Sequence, residues 1–219
     1  MLEEDLALAN IALDLIGQSR ALYAYAGDVE GKGRDEDALA YLRDVASYRN
    51  ILMVELDKGD FALTIARQFF MSALMLPFWQ KMSQSTDTVL AGIAGKAVKE
   101  VTYHLRHTSE WMIRRGDGTT ESARRLRAAV ADLWPYTGEL FEMDGVDAKL
   151  VAEVVAIDSE SVSQDFERTI SSIFAQALLL QPARGWMQTG GRHGRQTEHL
   201  GHILSRLQYL QRAYPGASW

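Results

Sequence analysis

The sequence contains no cysteine among its 219 residues. Disulfide bonds, thiolate nucleophiles and cysteine-ligated zinc or iron–sulfur centres are therefore excluded. Proline is scarce too, with four in the whole chain, so long uninterrupted helices can form. No stretch rich in proline, glycine or serine indicates a linker, and the length predicts a single domain over residues 1–219.

Positive charge is also in deficit, because the formal net charge is -6. This balance argues against nucleic acid as the main partner. No signal peptide opens the chain, since charged side chains interrupt its first apolar region, and we find no uncharged stretch of the roughly 20 residues that a membrane span needs. We therefore expect a cytoplasmic protein that does not contact a membrane.

Apolar residues recur with helical spacing along most of the chain, and strand alternation is nearly absent. The pattern predicts helices over about residues 3–26, 35–50, 61–82, 86–115, 119–141, 162–179 and 197–213. The pattern predicts a short helix or irregular structure over residues 143–161 and a long loop over residues 185–196. Asp60 is the predicted N-cap of the third helix, in which Pro77 predicts a kink or an early end. Ser85 or Thr86 is the predicted N-cap of the fourth helix. The expected fold class is an all-α helical bundle.

Polar residues form narrow stripes on otherwise apolar helices. The first helix is apolar almost all round, which predicts that it is buried, and its exceptions Asn10, Asp14 and Gln18 share one face. Three further stripes follow the same spacing: Asp60, Thr64, Gln68 and Ser72; Lys96, Glu100, His104 and His107; Glu198 and His202. Facing stripes are typical of carboxylate-bridged metal proteins. The alternative is that each stripe is the solvated face of an amphipathic helix.

The histidines do not have the spacing of a di-iron site. Such a site needs about six ligands from four helices, and its signature is two Glu-x-x-His pairs. The residues three positions before the five histidines are Val101, His104, Gly190, Gln196 and His199, none of them acidic. Two His-x-x-His pairs remain, 104/107 and 199/202, and Glu100 could join the first in binding zinc or nickel. We favour the alternative, in which these imidazoles bond to carboxylates in a polar core.

The segment 190–195 is rich in glycine and basic residues, but it follows no strand and is therefore not a nucleotide-binding phosphate loop. It could contact an anion through its backbone N–H groups and through Arg192 and Arg195. We favour the alternative, which is a flexible surface or interface loop. No Ser-His-Asp arrangement can be identified from spacing.

Several blocks of the chain resemble one known family. The blocks are ANIALDLIGQ (residues 9–18), FALTIARQF (61–69), YHLRH (103–107), TEHLG (197–201), QYLQR (208–212), and the closing Pro215, Gly216 and Trp219. Over essentially its whole length the chain resembles the structural-subunit family of phenylacetyl-CoA epoxidase, known as PaaC.

The resemblance implies a ferritin-like fold and a role in bacterial aerobic phenylacetate degradation. In such systems a paralogous di-iron subunit epoxidises the aromatic ring of phenylacetyl-CoA with dioxygen. A separate reductase subunit, with NADPH, flavin and an iron–sulfur centre, supplies the electrons. The resemblance implies that this chain binds no cofactor of its own and has no catalytic residue. It would act as a scaffold in a hetero-oligomer with the di-iron subunit.

The same resemblance marks the positions of a lost di-iron site. His104 stands where active relatives have the glutamate of Glu-x-x-Arg-His, and Gly17 stands where they have the histidine of Glu-x-x-His. With Asp14, Gln18, Glu100 and His107 these residues would form a vestigial, metal-free site. Relatives usually carry another helix upstream of the first helix of this sequence. We therefore expect that part of the bundle is missing or supplied by a partner.

Two other functions stay open at this point. One is a di-metal oxygenase with the unconventional ligands Asp14, Glu100, His104 and His107. The other is a binding module that holds part of CoA through Arg192 and Arg195. Under the scaffold function, candidate aromatic anchors for a partner are Tyr23, Tyr25, Trp79, Trp111, Trp134 and Trp186. The alternative for most of them is a place in the core.

Overall fold

The computed structural model describes residues 2–217, so the Trp219 of the resemblance lies outside it. Within that range it contains nine α-helices and no strand, which confirms the all-α fold class. The helices are α1 (Leu2–Glu30), α2 (Glu36–Tyr41), α3 (Phe61–Met82), α4 (Thr88–Gly116), α5 (Thr120–Leu133), α6 (Gly145–Ala152), α7 (Ser159–Gln176), α8 (Glu198–Leu207) and α9 (Tyr209–Ala213).

The chain forms two compact units. The first consists of residues 1–56 and 190–219, and the second of residues 57–189. The first unit therefore joins the two ends of the chain, and the second is one continuous segment. The single domain expected from length and composition stays a prediction.

The second unit is built around α3, which packs against α4, α5 and α7. The rings of Phe69, Phe70, Phe166 and Phe174 are fully or almost fully buried there. The ring of Phe70 lies 6.2 Å from those of both Phe174 and Trp134. Each buried phenylalanine contributes about 1.5–3 kcal/mol relative to an exposed one, so this cluster is a substantial part of the core of the second unit.

Among residues 2–217, α3 is the one helix long and apolar enough to cross a membrane, with a mean hydropathy of 1.4 in its most apolar window. It is not an uncharged stretch, because Arg67 and Lys81 interrupt the run. Half of that window is buried inside the protein. Burial against three other helices identifies α3 as the core helix of the second unit, since a core helix has the same composition as a span.

Asp60 caps α3 as predicted. Its carboxylate accepts a hydrogen bond from the backbone N–H of Leu63 at 3.0 Å. The early end predicted at Pro77 is wrong, because α3 continues through Pro77 to Met82. A proline in a helix removes one hydrogen bond but does not end the helix where surrounding packing holds it, and Pro77 is itself buried.

The cap predicted for α4 is also different. Asp87 caps the helix by accepting from the N–H groups of Val89 and Leu90, both at 3.0 Å. Ser85 and Thr86, the predicted caps, donate their hydroxyl groups instead to the carbonyls of Val155 and Val154. Those bonds fix the segment after α6, a tertiary role that the local sequence does not encode.

In the first unit, α1 runs past its predicted end at Gly27 and reaches Glu30. Gly31, with φ of 66°, adopts the left-handed conformation that ends the helix, and its N–H bonds to the carbonyl of Gly27. Gly27 has a different purpose. A Cβ there would collide with the carbonyl oxygen of Arg34 and lie 3.3 Å from its carbonyl carbon. Gly27 therefore permits the chain to return closely against α1.

The prediction that α1 is buried is wrong for most of its length. Its buried residues are Ala7, Ile11, Gln18 and Gly27. Leu2, Leu6, Leu13 and Ile16 are 70%, 57%, 64% and 62% exposed, and Ala9 between them is exposed as well. We call Leu2, Leu6, Ala9, Leu13 and Ile16 the apolar face of α1. Hydrophobicity all round a helix predicted burial, but within residues 2–217 nothing covers this face.

The second helix is much shorter than the predicted 35–50, because α2 ends at Tyr41. The carbonyls that would continue it are bonded by side chains from the C-terminal segment. The amide of Gln208 donates to the carbonyls of Ala40 and Arg43, and the guanidinium of Arg212 donates to those of Tyr41 and Arg43. Gln208 also separates α8 from α9, where one continuous helix was predicted.

Two further segments differ in detail from the predictions, and the short helix expected between them in the chain is confirmed. The predicted helix 119–141 becomes α5 and a 3₁₀ helix, Trp134–Phe141, which begins next to Pro135. The short helix expected between residues 143 and 161 is α6. The predicted loop 185–196 contains a 3₁₀ turn, Gly191–His193.

Candidate functional site

The polar stripe predicted on the first helix lies partly in solvent. Asn10 is exposed, Asp14 is half-buried and Gln18 is buried. Gly17 stands beside Gln18, and a Cβ built on it meets no atom within 4 Å. Packing therefore does not require glycine at position 17. A side chain would fit there, but the residue present offers no donor atom to a metal.

The stripe on α4 is more enclosed. His104 is fully buried, while Glu100 and His107 are half-buried. The carboxylate of Glu100 lies 3.5 Å from the ammonium group of Lys96, one turn earlier. The ring of Tyr103 stacks on the imidazole of His107 with 5.8 Å between centroids. This face of α4 thus supplies one carboxylate and two imidazoles, with a lysine beside the carboxylate.

The predicted metal-site residues fall into both units. Asp14, Gly17 and Gln18 belong to the first unit, and Glu100, His104 and His107 belong to the second. Across residues 2–217, no group of three or more histidine, aspartate or glutamate side chains is arranged to hold a metal ion.

The two remaining stripes have local explanations. On α3, the amide of Gln68 donates to the hydroxyl of Ser72 at 3.1 Å, and the hydroxyl of Thr64 donates to the carbonyl of Lys58. On α8, Glu198 and His202 are both exposed. The interpretation of a solvated helix face is therefore correct for α8, and the α3 stripe is satisfied by groups close by in its own unit.

The segment 190–197, which we call the glycine loop, has a defined conformation. Gly190 and Gly194 have φ angles of 99° and 82°, in the left-handed region that favours glycine. The N–H groups of His193 and Arg195 both donate to the carbonyl of Gly190 at 3.0 Å. These bonds close the backbone of the loop on itself.

A buried carboxylate that the sequence pattern did not predict holds the end of this loop. Glu55 is 1% exposed. Its Oε2 accepts from the backbone N–H of Thr197 at 2.6 Å, and its Oε1 accepts from the side-chain amide of Asn50 at 2.6 Å. The side chain of Gln196 donates to the carbonyls of Val45 and Tyr48. Residues 142 positions apart cannot be paired from periodicity, and no local signal marks Glu55.

Most acidic side chains near an arginine are paired with it. Hydrogen bonds donated by Arg34 hold the pKa of Glu30 at about 2. Hydrogen bonds donated by Arg124 and Arg125 hold the pKa of Glu121 at about 2. Arg20 pairs with Glu36 at 2.9 Å, and Arg212 pairs with Asp44 at 3.2 Å. The pairs are exposed and each contributes little stability, but they show where positive charge is already neutralised.

The predicted aromatic anchors divide into two groups. Trp79 and Trp134 are 3% and 4% exposed and belong to the core, so they are wrong as surface anchors. Trp111 packs edge-on against Phe61 at 5.1 Å, and Tyr23 and Tyr25 are half-buried. Trp186 is 74% exposed, in a segment after α7 that also exposes Leu178 and Leu180. Large exposed side chains of this kind are typical of protein interfaces.

Residues 1–219, the whole chain, match the sequence profile of the family described as phenylacetic acid catabolic protein. The chain belongs to this family. It is also 43% identical over 218 residues to a protein of Escherichia coli (strain K12) that is named as a subunit of 1,2-phenylacetyl-CoA epoxidase, with coverage of 100% of this chain and 88% of that protein. The resemblance drawn from short sequence blocks is therefore confirmed, and the helical bundle is the ferritin-like fold of this family.

Proposed function

We propose that this chain is a non-catalytic, cytoplasmic subunit of a 1,2-phenylacetyl-CoA epoxidase complex, and that it binds and stabilises the di-iron catalytic subunit. Two findings support a place in such a complex. The chain belongs to a family of phenylacetate catabolism, and it is similar over its full length to a protein named as a subunit of that epoxidase.

The observation that carries the absence of catalysis is the set of donor atoms on α1 and α4. Carboxylate-bridged di-iron centres take about four carboxylates and two imidazoles from facing helices. Here Gly17 has no side-chain donor, His104 is an imidazole, and Lys96 sits beside the one carboxylate on its α4 face. These residues do not fit a di-iron centre, and this mismatch also weighs against a di-metal oxygenase with unconventional ligands.

Exposed apolar surface supports the partner-binding part of the proposal. The apolar face of α1 repeats every four and three residues, from Leu2 to Ile16. This spacing is that of a helix that packs against another helix. Monomeric proteins rarely leave such a continuous apolar strip in water. We therefore assign this face to a helix of the catalytic subunit, with Trp186 as a candidate anchor in the second unit.

Co-expression with a catalytic subunit tests the proposal. The two chains are purified together, and each is also purified alone, always without chelator. The complex is sized, and iron is quantified in the complex and in each chain alone. The complex is separated into its chains under denaturing conditions only after these measurements. We expect co-elution, about two irons per catalytic chain and essentially no iron in this chain by itself. About two irons bound to this chain alone, or epoxidation of phenylacetyl-CoA without a companion chain, would refute it.

A matched pair of variants tests the assigned surface. Leu13→Glu places a charge in the apolar face of α1, whereas Ala26→Glu places the same charge on an exposed position near the C-terminal end of α1, beyond that face. We expect the first variant to lower the amount of co-purified partner and the second to leave it unchanged. Equal recovery of the partner with both variants would show that the apolar face of α1 is not part of the interface. The iron measurement is a separate test and would not be affected by this result.

A further inference from the structure

The glycine loop has the features of a preformed anion site. Its backbone is closed by bonds to the carbonyl of Gly190, and its end is tied by Glu55 to the N–H of Thr197. A loop held in this way loses little conformational entropy when a ligand binds. The side chains that it presents therefore determine which ligand fits.

Two arginine side chains lie directly against the two left-handed glycines. A Cβ on Gly194 would lie 2.7 Å from Nη1 of Arg49 and 3.0 Å from its Cζ. A Cβ on Gly190 would lie 2.7 Å from Cδ of Arg195. Any larger residue would displace these side chains, so the two glycines allow Arg195 of the loop and Arg49 of an earlier segment to pack against the loop backbone.

The positive charge on this loop is not neutralised within the protein. Over residues 2–217, Arg49, His193 and Arg195 form no ion pair, and Nη1 of Arg49 donates only to the carbonyls of Ala46 and Tyr48. All three side chains are exposed. In the same unit Arg20, Arg34 and Arg212 each have a carboxylate partner. Arginines without a carboxylate partner, at a loop whose backbone is closed by its own hydrogen bonds, have donors available for an anion.

We propose that His193 and Arg195 of the glycine loop, together with Arg49, which packs against Gly194, bind the phosphate groups of a CoA thioester. This inference rests on the proposed function, because membership in an epoxidase complex places a CoA thioester near the chain. CoA carries a diphosphate and a 3′-phosphate, and arginine binds phosphate through paired N–H donors. The structure also changes the set of residues predicted from sequence. It adds Arg49 to the predicted phosphate ligands. Arg192 is a less suitable ligand, because its side chain is half-buried and already interacts with another group.

Calorimetric titration tests the site with three probes: CoA, dephospho-CoA, which lacks the 3′-phosphate, and pantetheine, which has no phosphate. Each is added to the full chain and to its complex with the catalytic subunit. We expect CoA to bind more tightly than dephospho-CoA and pantetheine to bind weakest. Arg195→Gln should raise the Kd for CoA about tenfold, since a charge-assisted hydrogen bond contributes at least that factor.

Two further variants separate the site from general effects. Arg206→Gln removes an exposed positive charge on α8, in the same unit but away from the loop, and should leave the Kd unchanged. Arg49→Lys keeps the charge but loses the planar fork, and should weaken CoA binding less than Arg49→Gln. Far-ultraviolet circular dichroism of each variant shows whether it folds, and the Arg195→Gln result stands alone if Arg49 variants do not.

Several outcomes would overturn the inference. They are equal affinity for CoA and pantetheine, an unchanged Kd in Arg195→Gln, or no CoA binding by either the chain or its complex. A further outcome is that Arg195→Gln still binds CoA but no longer binds the catalytic partner. This result would mean that the loop contacts an acidic protein surface and not CoA. The iron and co-elution measurements use the unaltered chain, so failure of the proposed function would be seen there and not in these titrations.

Discussion

The close approach of α4 to the end of α7 gives a quantitative test of the fold. A Cβ on Gly116 would collide with the carbonyl oxygen of Ala177 and lie 2.8 Å from its carbonyl carbon and 2.9 Å from its Cβ. Gly95 lies in the same helix, and a Cβ there meets nothing within 4 Å. Gly116→Ala and Gly95→Ala are therefore the same chemical change in two different environments.

The expected sizes follow from two opposing terms. Alanine in place of glycine favours a helix interior by about 0.5–1 kcal/mol, and this term acts fully at Gly95 but at most in part at Gly116, the last residue of α4. Overpacking a rigid contact costs about 1–3 kcal/mol, and this term acts only at Gly116, where the neighbouring atoms are backbone. We expect Gly95→Ala to be slightly stabilising. We expect Gly116→Ala to unfold about 1–3 kcal/mol more easily than Gly95→Ala.

Urea unfolding followed by tryptophan fluorescence measures this difference. Four of the five tryptophans, at positions 79, 111, 134 and 186, lie in the second unit together with α4 and α7. With a slope of about 2 kcal/mol per molar urea, a difference of about 2 kcal/mol separates the two midpoints by about 1 M. A midpoint for Gly116→Ala at or above that of Gly95→Ala would show that the contact with Ala177 is not as tight as described.

Three further predictions concern single residues. Asp60 accepts a bond from the backbone N–H of Leu63, which lowers the pKa of its carboxyl below the usual value. Its contribution is therefore complete above the usual pKa and is lost as the pH falls through the lowered pKa. Asp60→Asn keeps the cap but has no charge to lose, so it should have a slightly lower urea midpoint than the unaltered chain at neutral pH and should lose less stability on acidification. Glu55→Ala should cost about 1–3 kcal/mol and open the glycine loop to proteases, because the N–H of Thr197 loses its acceptor; limited proteolysis with unchanged kinetics would contradict this. Gly17→His, in open space, should fold as the unaltered chain does and still bind no more than trace iron by itself, which metal analysis after purification measures.

Several features follow from the sequence because their causes are local. Helical periodicity defined the main helices, and Asp60 was found as an N-cap because its carboxylate bonds to a group three residues away. The lack of an acidic residue three positions before each histidine is likewise a property of short segments. Family membership was recognised from blocks such as TEHLG, and the match over residues 1–219 confirmed it.

Only the tertiary structure decided features whose partners lie far apart in the chain. Glu55 acts on Thr197 across 142 residues, and the C-terminal Gln208 and Arg212 take the carbonyls that would have extended α2. The exposure of the apolar face of α1 belongs to the same class, because hydrophobicity predicts that a face needs a partner but not whether this chain supplies it. Local sequence determines which backbone conformations are favourable, whereas long-range hydrogen bonds and packing select among them, and those depend on chain segments that meet only in the folded state.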